Sequence, residues 1–294
     1  MTDPTSAQVK TEPITIPVSS GGALTGTLRT PVGGTPRRAV VVHPATAVPE
    51  RLYSGFAEYL AADSAVLTYT YRGVGHRKVA RGARGIRMRD WMDTDVPAAA
   101  NWMQERFDAM PQLAVGHSIG GHALSLGSGS GELAAFATVA SHAGVTATIP
   151  DRGERARVGL ILRVVGPASA HTLGYLPGRR LGLGEDMPGA AVLEWGRWSR
   201  LPRYFFDDPT MHAEARAHDV TGTVLAIGFS DDPWATPGQI DAITQQLRRA
   251  EVERRTYSPA EAGVDKIGHM GFFRRGAGAA LWPQLRDWLV ERSA

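Results

Sequence analysis

The stretch from residue 112 to residue 124 constrains the fold of this 294-residue chain more than any other. A short apolar run at 113–115 predicts a buried strand, and the sequence Gly-His-Ser-Ile-Gly at 116–120 predicts a sharp turn into an Ala- and Leu-rich helix. A serine at such a turn is lifted clear of the sheet with its hydroxyl exposed, and glycines are needed where a Cβ would collide with neighbouring backbone. Ser118 is therefore the candidate nucleophile. The alternative is a glycine-rich loop with an incidental serine.

Strands and helices alternate on both sides of this turn. Apolar or β-branched runs at 38–42, 66–71, 133–140 and 221–228 predict strands buried in a parallel sheet, and the intervening segments carry apolar residues at helical spacing. This alternation is typical of an α/β fold with helices flanking the sheet. Two further strands are expected around a glycine turn at 14–28, and the last strand is expected at 252–257.

Residues 144–218 interrupt this rhythm, since they are rich in Arg, Gly, Pro and Trp and contain short helical pieces without a clear buried strand. We predict a core of residues 12–143 and 219–294, with a mainly helical cap inserted at 144–218 above a pocket. Aromatic side chains cluster in the predicted cap and either line that pocket or form the cap's own small core. They are Trp195, Trp198, Tyr204, Phe205 and Phe206.

Composition excludes several classes of function. The formal net charge is +3 with acidic and basic residues interspersed, which argues against nucleic-acid binding. The chain has no cysteine, which excludes disulfides, thiolate metal sites and a cysteine nucleophile. No apolar run approaches the roughly 18 residues of a spanning helix, and the polar residues 1–11 lack the features of a secretory signal. We expect a soluble, cytoplasmic protein with a frayed start and make no prediction of its oligomeric state.

A basic segment at 72–89 contains no acidic residue. It is either a solvated loop with ion pairs to nearby helices or an electropositive rim that attracts an anionic acyl substrate. Its seven basic residues are Arg72, Arg77, Lys78, Arg81, Arg84, Arg87 and Arg89.

A serine hydroxyl near neutral pH needs a base to take its proton and an acid to orient that base. When a serine stands at a strand-to-helix elbow, the acid and then the histidine follow it along the chain, each after a strand. Asp231 and Asp232 follow the strand predicted at 221–228, and His269 is the only histidine beyond them. Position alone leaves the two carboxylates undecided. An Asx turn for the acids and a carbonyl-bonded loop role for His269 are the alternatives.

The oxyanion formed when Ser118 attacks a carbonyl needs hydrogen-bond donors already in place. The backbone N–H of Ile119, at the start of the elbow helix, is the first candidate. Ala45 N–H, in the loop after the strand at 38–42, is the second, because Pro44 has no N–H. Three histidines near these loops, His43, His117 and His122, are expected to pack or hydrogen-bond locally.

These motifs together resemble the α/β-hydrolases, and the chain is similar to uncharacterised bacterial hydrolases of the serine aminopeptidase and lysophospholipase-like branch. The matching pieces span nearly the whole chain outside the predicted cap: His-Pro-Ala at 43–45, Tyr-Thr-Tyr-Arg-Gly-Val-Gly at 69–75, Trp91 with Asp95, residues 116–120, the Asp232 loop and Gly268-His269. The resemblance implies an eight-stranded, mostly parallel sheet with one antiparallel strand, and ester, thioester or amide hydrolysis without a cofactor or metal. It also favours Asp232 over Asp231, because Asp-Pro-Trp-Ala-Thr-Pro matches the acid loop of that family.

The chain departs from the family pattern at three places. His43-Pro44 replaces the usual His-Gly, which bears on the first oxyanion donor. Thr70 stands where the family has an aspartate, and His76-Arg77 replaces small or serine residues. None of these changes touches Ser118, Asp232 or His269.

The sequence therefore predicts a serine hydrolase that cleaves a small-molecule carboxylic ester or thioester. One alternative is acyl transfer by the same three residues to an alcohol or amine. Another is a non-catalytic binder that uses the pocket. Dehalogenation is disfavoured because it needs an aspartate in place of Ser118.

Overall fold

A computed structural model describes residues 8–75 and 79–293. Residues 1–7 of the predicted frayed start, and His76, Arg77 and Lys78 of the basic segment, lie outside the described residues. The strands are β1 Val9–Pro17, β2 Ala23–Pro31, β3 Ala39–His43, β4 Ala65–Thr70, β5 Gln112–His117, β6 Ala135–Val139, β7 Tyr175–Leu176, β8 Met187–Pro188, β9 Thr221–Phe229 and β10 Arg249–Tyr257.

Helices lie between and after these strands in the described part of the chain. They are α1 Ser54–Leu60, α2 Met88–Asp90, α3 Val96–Arg106, α4 Ile119–Ser125, α5 Arg152–Leu160, α6 Gly166–Leu173, α7 Gly189–Trp198, α8 Ala213–Asp219, α9 Pro237–Thr244, α10 Gly268–Gly271, α11 Arg275–Gly278 and α12 Trp282–Glu291. π-helical turns at Trp91–Asp95 and Ile161–Val165 join α2 to α3 and α5 to α6. None of the described helices is long and apolar enough to cross a membrane.

Eight strands form one sheet in the order β1-β2-β4-β3-β5-β6-β9-β10. β2 pairs antiparallel with both β1 and β4, so β2 alone runs against the others. The remaining pairings are parallel. The expected α/β fold, with a mostly parallel eight-stranded sheet, is confirmed.

The central strands are buried because helices cover both faces of the sheet. Every residue of β3, β5 and β6 is buried, which explains their continuous apolar character. The pairs His43↔Gly116 and His117↔Val139 lie at the ends of these strands. The loops that follow β3, β5 and β6 therefore leave the sheet side by side at its carboxyl edge, where open α/β sheets bind ligands.

Residues 144–218, which we call the insertion, lie between β6 and β9 and are mainly helical. The insertion also contains a hairpin of two-residue strands, β7 and β8, which the sequence analysis did not predict. Strands this short show no alternating pattern that a sequence could reveal. Ion pairs join the insertion to the core, since Arg89 contacts Glu194 at 2.5 Å and Asp208 at 2.7 Å.

Some boundaries differ from the sequence predictions. β1 begins at Val9, before residue 12, because Val9 pairs with Pro31 of β2. β10 begins at Arg249 through its pairing with Thr221, whereas the sequence predicted this strand from residue 252. Pairing with the neighbouring strand extends β10 beyond the segment that the sequence pattern marks.

Candidate active site

Ser118 occupies a strained turn between β5 and α4. Its φ of 52° lies in the left-handed region that side-chain-bearing residues rarely adopt. The flanking glycines make the turn possible. A Cβ on Gly116 would lie 2.5 Å from the nitrogen of Gly121, and a Cβ on Gly120 would lie 2.5 Å from the carbonyl oxygen of His43. The local structure is thus the elbow that residues 116–120 predict.

Asp232 and His269 meet at the same edge of the sheet. Asp232 Oδ2 lies 2.7 Å from His269 Nδ1, and the Asp232 side chain is fully buried. Asp232 Oδ1 accepts hydrogen bonds from the backbone N–H groups of Trp234 at 2.9 Å and Ala235 at 3.1 Å. Burial alone would raise the pKa of Asp232, but His269 and these donors outweigh it and hold that pKa well below its usual range. A carboxylate in this state can orient and stabilise an imidazolium.

Asp231, the other candidate acid, faces a different group. Its carboxylate accepts hydrogen bonds from the backbone N–H of Ile267 at 2.9 Å and of Gly268 at 3.0 Å. Asp231 thereby holds the loop that carries His269, while its neighbour contacts the imidazole. The chain turns directly after β9, with Asp232 N–H donating to the carbonyl oxygen of Phe229 at 3.2 Å, and the two adjacent carboxylates contact different groups.

Ser118 and His269 line one cavity of about 610 Å³ beneath the insertion. This volume lies within the range of about 300–1,000 Å³ that is typical of small-molecule sites. Val158, Ile161 and Leu162 of the insertion form an apolar part of its wall. Ser118 Oγ has no hydrogen-bond partner among the described residues, so the hydroxyl is open to a ligand. Catalytic hydrogen bonds often tighten only once substrate is bound.

His142 also lines this cavity, although the sequence analysis did not select it. Its ring centroid lies 5.5 Å from that of His269, and its Nδ1 lies 3.3 Å from the carbonyl oxygen of Ala143. Burial lowers the pKa of His142 to about 4. It therefore offers a neutral polar ring beside His269. Its position two residues beyond a predicted strand, at 133–140, was the only signal in the sequence.

The two predicted oxyanion donors differ in their surroundings. Ile119 N–H, at the first position of α4, has no acceptor among the described residues. Ala45 N–H, in contrast, donates to Tyr53 Oη at 2.8 Å and is already engaged. The next residue, Thr46, lines the cavity, and its N–H has no acceptor in the described part of the chain. The loop after β3 thus presents Thr46 N–H, not Ala45 N–H, as its open donor.

A chain of buried hydrogen bonds joins the loop after β3 to His269. Tyr53 Oη accepts from Ala45 N–H, so its own proton is directed to His117 Nδ1, 2.9 Å away. His117 Nε2 then donates to the carbonyl oxygen of His269 at 2.9 Å. Only the neutral Nε2–H tautomer of His117 fits these partners, and burial lowers the pKa of His117 to about 3. The network fixes the backbone of His269 relative to the candidate oxyanion loop.

Four buried histidines make stability depend on pH. Burial lowers the pKa of His43, His117 and His122 to about 3 and that of His142 to about 4, from 6.5. Below pH 6.5 the unfolded chain binds these four protons and the folded chain does not, so stability is lost as pH falls. Burial raises the pKa of Asp95 to about 6, so below pH 6 the folded chain binds a proton there that the unfolded chain does not. This proton offsets the effect of one of the four histidines. Near pH 5 we expect the free energy of unfolding to fall by about 4 kcal/mol per pH unit.

Urea unfolding between pH 7 and pH 5 measures this slope. A His122→Gln variant removes one titrating group and should reduce the slope by about 1.4 kcal/mol per pH unit. A free energy of unfolding that stays constant over this range would show that these histidines are not held neutral by the fold.

The described members of the basic segment at 72–89 include three arginines in ion pairs. Arg72 binds Asp95 at 2.7 Å, Arg87 binds Asp90 at 2.8 Å, and Arg89 binds the insertion. For these three arginines, the contacts match the first interpretation of the basic segment, a loop with ion pairs to neighbouring elements. Arg72 also accepts a hydrogen bond on its carbonyl oxygen from Trp91 Nε1 at 2.9 Å.

No group of three or more histidine or carboxylate side chains among the described residues is arranged to hold a metal ion. The groups that converge at the cavity are a serine hydroxyl, an imidazole paired with a buried carboxylate, and backbone N–H groups without acceptors among the described residues. Their arrangement can support acyl transfer through a serine.

Comparisons with known proteins bear on the fold and the family. A profile described as "Alpha/beta hydrolase family" matches residues 39–281. No curated protein matches the sequence. A structure of DcsB in complex with its substrate analogue is 12% identical with a TM-score of 0.65, covering 96% of this chain and 100% of DcsB.

Two esterase structures also match over almost their whole length. The carboxylesterase EstE1, cloned from a metagenomic library, is 15% identical with a TM-score of 0.61, covering 99% of this chain and 92% of EstE1. An esterase from Thermogutta terrifontis is 16% identical with a TM-score of 0.57, covering 96% of this chain and 100% of the esterase. At such identities these likenesses establish the fold alone.

Proposed function

The chain belongs to the alpha/beta hydrolase family, and from this premise we propose that it is a serine hydrolase cleaving a carboxylic ester or thioester. One observation carries the proposal: His269 is bonded to the buried Asp232 at 2.7 Å and lines the same cavity as the strained Ser118. A non-catalytic binder would have no need for this combination. The esterase structures with this fold are consistent with the proposal.

In the acylation step, His269 Nε2 takes the proton of Ser118 as Oγ attacks the carbonyl carbon. Asp232 stabilises the resulting imidazolium through Nδ1. The oxyanion accepts hydrogen bonds from Ile119 N–H and Thr46 N–H. His269 then gives its proton to the leaving alcohol or thiol as the bond to the carbonyl carbon breaks, and an acyl-enzyme remains on Ser118.

In the second step, water attacks the acyl-enzyme while His269 takes one of its protons. Collapse of the tetrahedral intermediate returns that proton to Ser118 Oγ and releases the carboxylic acid. We propose that His142 contributes a polar contact to the substrate or to this water, since it lines the cavity next to His269.

We propose that residues 144–218 act as a cap that shapes the acyl pocket, with the core formed by 12–143 and 219–294. Apolar side chains of the insertion line the cavity, and Trp234 of the core donates to Glu154 of the insertion at 2.9 Å. An apolar wall of this kind suits the hydrocarbon part of an acyl substrate. Within the family, we propose that the chain belongs to the serine aminopeptidase and lysophospholipase-like branch, which is consistent with an acyl substrate.

Initial rates with p-nitrophenyl esters of graded acyl length, and with matched acyl thioesters, test the proposed activity. We expect turnover above the uncatalysed rate, with the free acid as product. Absence of turnover with every ester and thioester would contradict the proposal. Acyl transfer is tested by adding a primary alcohol or amine and measuring how the product divides between free acid and the new ester or amide. Exclusive formation of free acid would exclude acyl transfer.

Replacing Tyr53 by phenylalanine should lower kcat by roughly tenfold with a smaller change in KM, because the hydrogen-bond network that positions His269 is broken. The substitution leaves Ala45 N–H and His117 Nδ1 without their partner. Tyr59→Phe is the matched control, since Tyr59 lies on α1, the helix that Tyr53 directly precedes, and packs against Trp282 away from the cavity. Equal kcat values for the two variants would show that the network does not position His269.

A further inference from the structure

Exposed apolar side chains are concentrated on the insertion. In the described part of the chain, the large hydrophobic residues left exposed are Leu160 and Val164, both 56% exposed, Leu173 at 44%, Leu181 at 40%, and Val32 at 53%. All except Val32 lie in the insertion. Contiguous exposed apolar surface marks interaction sites more often than scattered single residues do.

Leu160 and Val164 belong to a continuous exposed stripe. Residues 156, 160, 164 and 168 are Ala, Leu, Val and Ala, and all four are exposed. Their spacing of four places them along one face of the helical segment formed by α5, the π turn and α6. The opposite side of this segment forms cavity wall through Val158, Ile161 and Leu162. One helical segment thus separates the candidate active site from an apolar outer face.

The charges around this stripe are predominantly positive, although Asp151 is exposed at the N-cap of α5. Residues 152–184 contain six arginines and one acidic residue, Glu154. Glu154 is paired with Arg157 at 2.7 Å. Arg152 and Arg163 are exposed beside the stripe and form no ion pair with any described residue. We call residues 152, 156, 160, 163, 164 and 168 the docking face.

From this combination we propose that the docking face binds peripherally to an anionic phospholipid bilayer. Apolar side chains flanked by arginines enter the headgroup and acyl boundary, and each arginine near an anionic surface adds to the attraction. A second copy of this chain fits less well. Symmetric pairing of the face would bring the unpaired Arg152 and Arg163 of one copy against those of the other, and the face itself contains no carboxylate. Docking would place the wall of the cavity next to the bilayer, where amphiphilic acyl substrates are concentrated.

Flotation of the full chain with phosphatidylglycerol vesicles and with phosphatidylcholine vesicles tests the proposal. We expect binding to phosphatidylglycerol that weakens as salt is raised, and much weaker binding to phosphatidylcholine. The double variant Leu160→Ser/Val164→Ser should weaken binding by roughly tenfold or more. Arg152→Gln/Arg163→Gln should also weaken binding while leaving the apolar stripe intact.

Val32→Ser is the matched control, because it removes a comparably exposed side chain outside the insertion. Thermal unfolding checks that each variant is folded, as expected for exposed positions. Absent binding, equal binding to both lipids, or an equal loss in Val32→Ser would overturn the proposal. Sedimentation showing a dimer that Leu160→Ser/Val164→Ser dissociates would also overturn it and assign the face to a second copy. Because flotation needs no substrate, its result is independent of the ester-hydrolysis test.

Discussion

Replacement of Ser118 by alanine is expected to reduce kcat for ester hydrolysis by about 10⁶-fold, as measured in other serine hydrolases that lose their nucleophile. Ser118 is the only serine among the described lining residues, and the chain has no cysteine. The other hydroxyls of the lining, on Thr46, Thr146 and Tyr204, do not stand at the strand-to-helix turn, so we expect none of them to replace it. Initial rates with the best p-nitrophenyl ester provide the measurement. Substrate binding should change little, since the methyl side chain of alanine fits the same turn.

Ser125→Ala is the control for this substitution. Ser125 lies in α4, the helix that Ser118 precedes, and its Oγ is buried without a hydrogen-bond partner among the described residues. We expect this variant to keep wild-type kcat. Activity of Ser118→Ala above about 1% of wild type would exceed the residual catalysis expected without the nucleophile and would contradict the mechanism.

Asp232→Asn is expected to lower kcat by about 10⁴-fold while the protein stays folded. The amide removes the negative charge that stabilises the imidazolium, and its NH₂ group favours the wrong tautomer of His269. The 2.7 Å contact between Asp232 and His269 is the structural basis of this expectation. The measurement is kcat with the same ester, together with urea unfolding to establish that the variant is folded.

Asp231→Asn is the neighbouring control and should behave differently. Asp231 holds two backbone N–H groups of the His269 loop, so its loss of charge should cost about 1–2 kcal/mol of stability. Its effect on kcat should stay within roughly tenfold, because Asp231 does not contact the imidazole. Equal losses of kcat in the two variants would contradict the distinct roles given to the adjacent carboxylates.

The sequence predicts the elbow and the sheet well because both depend on local requirements. Gly116 and Gly120 are needed wherever a strand turns this sharply into a helix, and the close contacts at both positions bear out that requirement. The runs of β3 and β5 are apolar throughout because both faces of the sheet are covered. Such constraints act on neighbouring residues, so they leave a readable pattern.

Features that depend on distant residues left no such pattern. Tyr53 meets His117 across 64 positions, and His117 meets the carbonyl of His269 across 152. The engagement of Ala45 N–H by Tyr53, which leaves Thr46 N–H as the open donor, follows from the same packing. A hydrogen bond between residues so far apart requires the folded backbone and cannot be read from spacing.

The central claim is that Ser118 is the activated nucleophile of a serine hydrolase. A fluorophosphonate probe, which reacts covalently with activated serines, tests this claim without knowledge of the substrate. Intact-mass measurement should show one probe per chain, peptide mapping should place it on Ser118, and Ser118→Ala should remain unlabelled. A wild-type protein that stays unlabelled, or a label that maps to another residue, would contradict the account.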